Sequence, residues 1–193
     1  MLTGMNRFPA LAMSALLVLL TACATPEDVT RTPDTPSKSR GNSSSAVSRI
    51  DWPTERARIS RALSGSIDVS ILTRQDGALQ LLVPAADAFV RDGSELKSGM
   101  RPTLERIAAV LAQTPETEIL VLDHTDGLGS ELHNLQLSIR RAEAVTEYLR
   151  GRGIALARLR ADGRGEAEPI ADNGTEAGRA KNRRFEIVLS PFK

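Results

Sequence analysis

Apolar positions in the second half of the chain fall into blocks whose spacing alternates between that of a strand and that of a helix. Residues 67–72 and 79–83 are short runs rich in Ile, Leu and Val, separated by Arg74-Gln75-Asp76-Gly77. The Asp-Gly step favours a tight turn, so the pair is expected to form a hairpin. In residues 102–113, Leu104, Ile107, Ala108 and Leu111 recur at helical spacing, with Pro102 in the first turn and Pro115 beyond the end, which predicts an amphipathic helix. Ile119-Leu120-Val121-Leu122 is unbroken and predicts a strand over 118–122, mid-sheet and covered on both faces. Residues 134–150 carry Leu135, Ala142, Val145 and Leu149 on one stripe, with Gly151 and Gly153 to stop a second helix. A short strand over 158–161, a polar glycine-rich loop over 163–182 and a last strand over 185–189 complete the series, and residues 54–63, after Pro53, read as a short helix. Strands alternating with helices, hairpins at the margins, predict an α/β sandwich: a mixed sheet with helices packed mainly on one face.

The first fifty residues obey other rules. Arg7 precedes an apolar run from 8 to 20, then Thr21, Ala22 and Cys23. A helix over that run would be about 20 Å long, too short for a hydrocarbon core of about 30 Å, and the layout is that of a signal peptide, residues 1–22. Leu20-Thr21-Ala22-Cys23 resembles a lipobox, which implies cleavage before Cys23 and acylation of its thiol. The alternatives are an ordinary signal peptide with an incidental cysteine, or a buried free thiol. Several acyl chains such as palmitate on one residue meet the requirement of more than one chain for stable anchoring. Ala24 after the cysteine implies, by the enteric sorting rule, the outer membrane, with the rest of the chain facing the periplasm. Residues 23–53 hold Pro26, Pro33, Pro36, Ser43-Ser44-Ser45 and few large apolar side chains, so this stretch is expected to be a disordered tether with a root-mean-square reach of about 30 Å. The folded domain is then 54–193, with its densest patterning over 79–190.

Composition narrows the chemistry. The net charge of +1 offers no electrostatic reason to expect nucleic acid, and 3% aromatics leave little for stacking on bases or sugars. One cysteine excludes an internal disulfide and a cysteine metal cluster.

The candidate chemistry gathers where the 118–122 strand ends: His124-Thr125-Asp126-Gly127, then Asn134, Leu137, Ser138, Arg141 and Ala142. Strand ends and helix starts present unpaired backbone amides to ligands. If Asn134 begins the helix, its amide caps that end. Leu137 and Arg141, four apart, share a face, so Asp126 and Arg141 can flank one pocket suited to a ligand carrying both an ammonium and a carboxylate. The plainer alternative is a salt bridge between the two across a loop.

These residues, continued by Val145 and Leu149, then Gly163, Gly165-Glu166, Pro169, Asn173, Gly178-Arg179 and Asn182-Arg183-Arg184, resemble the OmpA-like peptidoglycan-binding domain, the family of the Pal lipoproteins. The resemblance is dense over 118–190, with an echo in Phe89, Gly93-Ser94 and Leu104. It implies that Asp126 and Arg141 bind the amine and carboxylate of diaminopimelate in the peptidoglycan stem peptide, that Thr125, Asn134 and Leu137 line the same pocket, and that Arg183 approaches it, with Arg184 the alternative. Asp123 stands where the family usually has glycine. Either it adds a negative charge beside the site or it faces solvent.

The implied function is non-covalent tethering of the outer membrane to the cell wall. The alternative is an accessory lipoprotein of a secretion, efflux or signalling complex that also docks a protein partner. No catalysis, cofactor or metal is expected. His124, His133 and Asp126 lack regular ligand spacing, no nucleophile accompanies Asp123 and Asp126, and the basic run Arg179, Lys181, Arg183, Arg184 reads as a solvated edge diluted by Glu166, Glu168, Asp172, Glu176 and Glu186.

Overall fold

A computed structural model describes residues 50–65 and 69–192. The expected signal peptide, Cys23 and all but the end of the expected tether lie outside the described residues. In chain order the elements are α1 Trp52–Leu63, β1 Ser70–Thr73, β2 Leu79–Pro84, α2 Ala85–Ala88, α3 Arg101–Leu111, β3 Thr117–His124, α4 Glu131–Gly151, β4 Leu159–Gly165, α5 Glu176–Asn182 and β5 Arg184–Pro191. The strands form one mixed sheet in the order β1-β2-β5-β3-β4, antiparallel throughout except for the β3–β4 pair, which is parallel and bridged by α4.

The expected hairpin is β1–β2, pairing Thr73 with Leu79. Gly77 takes φ +83, a conformation that favours glycine, and its amide donates to Arg74 O. The start of the expected first strand, 66–68, lies outside the described residues. The helix expected from residue 54 starts at Trp52, with Pro53 in its first turn.

Alternation explains the core. Leu79, Leu81 and Val83 of β2, Ile119 and Val121 of β3, and Phe185, Ile187 and Leu189 of β5 point to one side, where they meet Ile59 of α1, Leu104, Ile107 and Leu111 of α3, and Ala142, Val145 and Leu149 of α4. Each such buried Leu or Ile contributes about 1.5–3 kcal/mol. Among the described residues, the apolar cluster on the other face of the sheet is small, Ala78, Leu122 and Val188 with Leu120 partly buried. The expectation that β3 is covered on both faces is therefore corrected: helices cover one face, and the unbroken run is internal by pairing rather than by layering.

Arg158 locks the far end of the sheet. Its guanidinium donates to Leu111 O, Thr114 O, Thr117 O and Thr117 Oγ1 at 2.8–3.0 Å, tying the end of α3 to the start of β3. Such a buried charge is tolerated because each of its three nitrogens donates a hydrogen bond.

Two sequence-based expectations change at the opposite end, where the site lies. The 158–161 strand runs on to Gly165, and the expected 163–182 loop ends in helix α5, capped by Thr175, whose hydroxyl accepts from Gly178 N. Glycines keep β4 going because α4 lies against it: a Cβ on Gly163 would stand 2.3 Å from Ile139 N. The α4 stripe also shifts. Leu135 is half-exposed, and the buried face near the helix start is made of Asn134, Leu137, Ser138 and Arg141 instead.

Candidate functional site

Opposite β3, β4 carries one extra residue, Arg164, because Asp123 pairs with Gly163 but His124 with Gly165. Such a bulge bends a strand and re-aims the residues beyond it. Thr125 N still donates to Gly165 O, then the chain leaves the sheet, and Leu128 N donates to Asp126 Oδ1 at 3.1 Å, a turn of the kind Asp favours.

Helix α4 begins at Glu131, not at Asn134. Ser130 is its cap, accepting from His133 N. The capping role expected of Asn134 is thus corrected, because the helix starts three residues earlier and leaves the asparagine in its first turn, free to reach sideways. Its Nδ2 donates to Asp126 O, Leu128 O and Glu166 Oε2, holding the strand-exit loop against the helix. A second staple comes from Asn182, whose Oδ1 accepts from Ile170 N and Ala171 N while its Nδ2 donates to Asn173 Oδ1, which in turn accepts from Gly127 N.

Between these loops, α4 and the segment after α2 lies a cleft of about 720 Å³. Thr125, Asp126, Asn134, Leu137, Arg141 and Arg183, the six ligand-site residues expected from the sequence, all line it. Asp126 and Arg141 do not pair with each other, which removes the plain salt-bridge alternative. Asp126 Oδ2 accepts from Arg183 Nη1 at 2.6 Å, and Arg183 Nη2 also donates to Glu176 Oε1. Arg141 Nε donates to Gly93 O at 2.8 Å, and its guanidinium lies 5.1 Å from the centre of the Phe89 ring.

Arg183 rather than Arg184 faces the cleft. Arg184 is buried on the other side of the sheet, where it donates to Glu186 Oε1 at 2.7 Å. The basic run is therefore not a solvated edge: Arg179 pairs with Glu176, Arg183 with Glu176 and Asp126, and Arg184 with Glu186.

His124, although part of the resemblance, does not line the cleft. Its ring is buried beside Arg184 and Glu186, with Nε2 3.5 Å from Glu186 Oε1 and no hydrogen-bond partner on either nitrogen among the described residues. Burial and the nearby Arg184 push its pKa down to about 4 against the pull of Glu186, so the contact is between a neutral imidazole and a carboxylate already held by an arginine. His133 lines the cleft instead, so the two histidines do not gather, and no group of three potential metal ligands occurs among the described residues.

Asp123 is wholly buried, which removes the solvent-facing alternative. Burial raises its pKa well above the ordinary carboxyl value, opposed by the charges of Arg141 and Arg184. Burial lowers that of Arg141, opposed by Asp123 and Asp92.

Sequence reasoning missed the wall contributed by the segment after α2. Asp92, with φ +54, and Lys97 line the cleft there, as does Glu176 from α5. In that segment only Phe89 and Gly93-Ser94 carried a signal in the sequence, and of these the Phe89 ring and the Gly93 carbonyl hold Arg141.

Fold and cleft together define a small α/β sandwich domain with a charged cleft at the ends of its central strands. The chain belongs to the OmpA family, whose match covers residues 88–183. It is 38% identical over 121 residues to the probable lipoprotein YiaD of Escherichia coli, a match covering 63% of this chain and 55% of that protein. Among solved structures, the peptidoglycan-associated lipoprotein from Burkholderia pseudomallei superposes with a TM-score of 0.51 at 31% identity, covering 56% of this chain and 89% of that one. The cell wall anchor of the T6SS from Pseudomonas aeruginosa does so with a TM-score of 0.62 at 28% identity, covering 71% and 99%. The chain spans 55% of the first curated relative and about a third of the next two, 31% and 32%.

Proposed function

We propose that this chain is a lipid-anchored wall-binding protein whose cleft takes the diaminopimelate residue of a peptidoglycan stem peptide. Arg141 receives the carboxylate with its terminal nitrogens, Asp126 receives the ammonium in place of part of its bond to Arg183, and Thr125, Asn134 and Leu137 form the walls. The observation that carries this reading is that the acid and the base line one cleft without pairing, each oriented by a third group, Arg183 and Gly93 O respectively. A zwitterionic ligand is the natural complement of such an arrangement. The reading needs no chemical step, and the names of the relatives, a lipoprotein and a wall anchor among them, support it.

In the same proposal, acylated Cys23 anchors the chain to the outer membrane, residues 23–53 form the tether and residues 54–193 reach the wall from the periplasmic side. The test is co-sedimentation with purified sacculi. Asp126→Ala and Arg141→Ala are each expected to weaken binding at least about 30-fold, or about 2 kcal/mol, with circular dichroism unchanged. Undiminished sedimentation of both variants would sink the site assignment.

A second reading, an accessory subunit of an envelope complex that also docks a protein, is favoured by Leu132, Leu135 and Ile139, which leave one stripe of α4 exposed. It predicts a specific crosslink from Leu132 to one envelope protein, and random crosslinking would remove it.

A further inference from the structure

Asp123 ends the run of helix-facing side chains on β3, in step with Ile119 and Val121, and is fully buried. Its cross-strand neighbours are Phe185 on β5 and Gly163 on β4, neither of which offers a side-chain donor. Among the described residues, neither carboxyl oxygen has a hydrogen-bond partner. An acid in such a place is costly to ionise, and among the described residues the charges that act on it are those of Arg141, from α4 on the same side of the sheet, and Arg184, from β5 on the opposite side. Arg184 is already held by Glu186 at 2.7 Å. Arg141 uses Nε on Gly93 O, and Asp92 is the other acid facing it.

We propose that Asp123 is an internal rival of the ligand's carboxylate for the Arg141 guanidinium, and so sets the affinity of the cleft according to its own charge. The proposal deepens the wall-binding reading and rests on it. With Asp123 neutral, Arg141 offers its full charge to a ligand. With Asp123 ionised, the guanidinium is neutralised from below and the ligand carboxylate meets a second negative charge. Burial favours the neutral form, and coupling is reciprocal: a carboxylate bound at Arg141 favours the proton on Asp123, so ligand binding takes up a proton. The carboxylates of a stem peptide stay ionised between about pH 5.5 and 8.5, and any titration of its amine toward the upper end of that range is common to every protein variant, so the difference in pH dependence between wild type and Asp123 variants belongs to the protein.

Two measurements on the full-length chain in detergent test this. In the absence of ligand, the Asp123 carboxyl signal is titrated by carbon-13 NMR in the wild type and in Arg141→Gln. The midpoint is expected to rise when the guanidinium is removed, and an unmoved midpoint overturns the proposal. The affinity for a diaminopimelate-containing stem tripeptide is then measured by calorimetry at pH 5.5 and 8.5. The wild type is expected to bind about fivefold or more weaker at the higher pH. Asp123→Asn and Asp123→Gly are expected to lose that change and to bind tighter than the wild type at pH 8.5. Two variants guard against one failing to fold, and comparison with them separates Asp123 from His133 in the same cleft. Equal pH dependence in wild type and variants overturns the proposal. Absence of binding by all three overturns the wall-binding reading instead, and the carboxyl titration then decides the Asp123–Arg141 coupling by itself.

Discussion

Two buried titratable residues sit next to each other on β3 and face opposite sides of the sheet, and their titrations act on stability in opposite directions. The folded pKa of His124 is about 4, below its unfolded value of about 6.5. The unfolded chain therefore takes up the proton first as pH falls, and stability is lost between about 6.5 and 4. The folded pKa of Asp123 is raised. Here the folded chain keeps its proton longer, so stability is fullest at low pH and falls as pH rises above about 4, the ordinary carboxyl value. The two slopes oppose each other between about 4 and 6.5. Thermal melts across this range are expected to show a flatter profile for the wild type than for either single variant: Asp123→Asn should lose stability more steeply toward acid, His124→Gln more steeply toward base. Parallel profiles for all three would contradict both assignments.

The element that positions the site is α4, and it does so by lying against the edge strand. Gly163→Ala would place a methyl 2.3 Å from Ile139 N and 2.5 Å from Ser138 Oγ, the hydroxyl that accepts from Gly165 N. Helix or strand backbone must then move, at a cost of at least about 2 kcal/mol in chemical denaturation. Gly99→Ala, with nothing within 4 Å of the added methyl, is the control and should change stability by less than about 0.5 kcal/mol. The same packing explains what was legible in the sequence. The β2, β3, α3 and β5 patterns could be read because their buried positions are Leu, Ile, Val and Phe. The end of β4 and all of α5 could not, because their buried residues there are Gly163, Gly165, Gly178 and Asn182, chosen for close approach and hydrogen bonding rather than for apolar burial. Likewise the start of α4 buries Asn134, Ser138 and Arg141, so its stripe went astray at Leu135. Asp126 and Arg141 were legible as a pair because one strand exit and one helix carry them. Asp92, Lys97 and Glu176 arrive from distant segments, and nothing local marks them as neighbours.

At the scale of the whole molecule, the proposed arrangement joins a membrane anchor to a wall-binding cleft. None of the described helices is long and apolar enough to cross a membrane; in the proposed arrangement the attachment is made by Cys23. Cys23→Ser is expected to move the protein from the membrane fraction to the soluble periplasmic fraction on cell fractionation, while its domain still sediments with sacculi. Retention of the variant in the membrane fraction would count against the anchor.

The wall-binding reading stands or falls on whether Arg141 reads a carboxylate on the ligand. Calorimetric titration of the full-length chain with two stem peptides tests this, one containing diaminopimelate and the other lysine, which keeps the amine and lacks the carboxylate. The wild type is expected to bind the diaminopimelate peptide at least about tenfold more tightly, as fits a charge-assisted pair of about 1.5 kcal/mol or more, and Arg141→Ala is expected to lose the distinction. Equal affinity of the wild type for both peptides, or discrimination that survives in Arg141→Ala, would contradict that role.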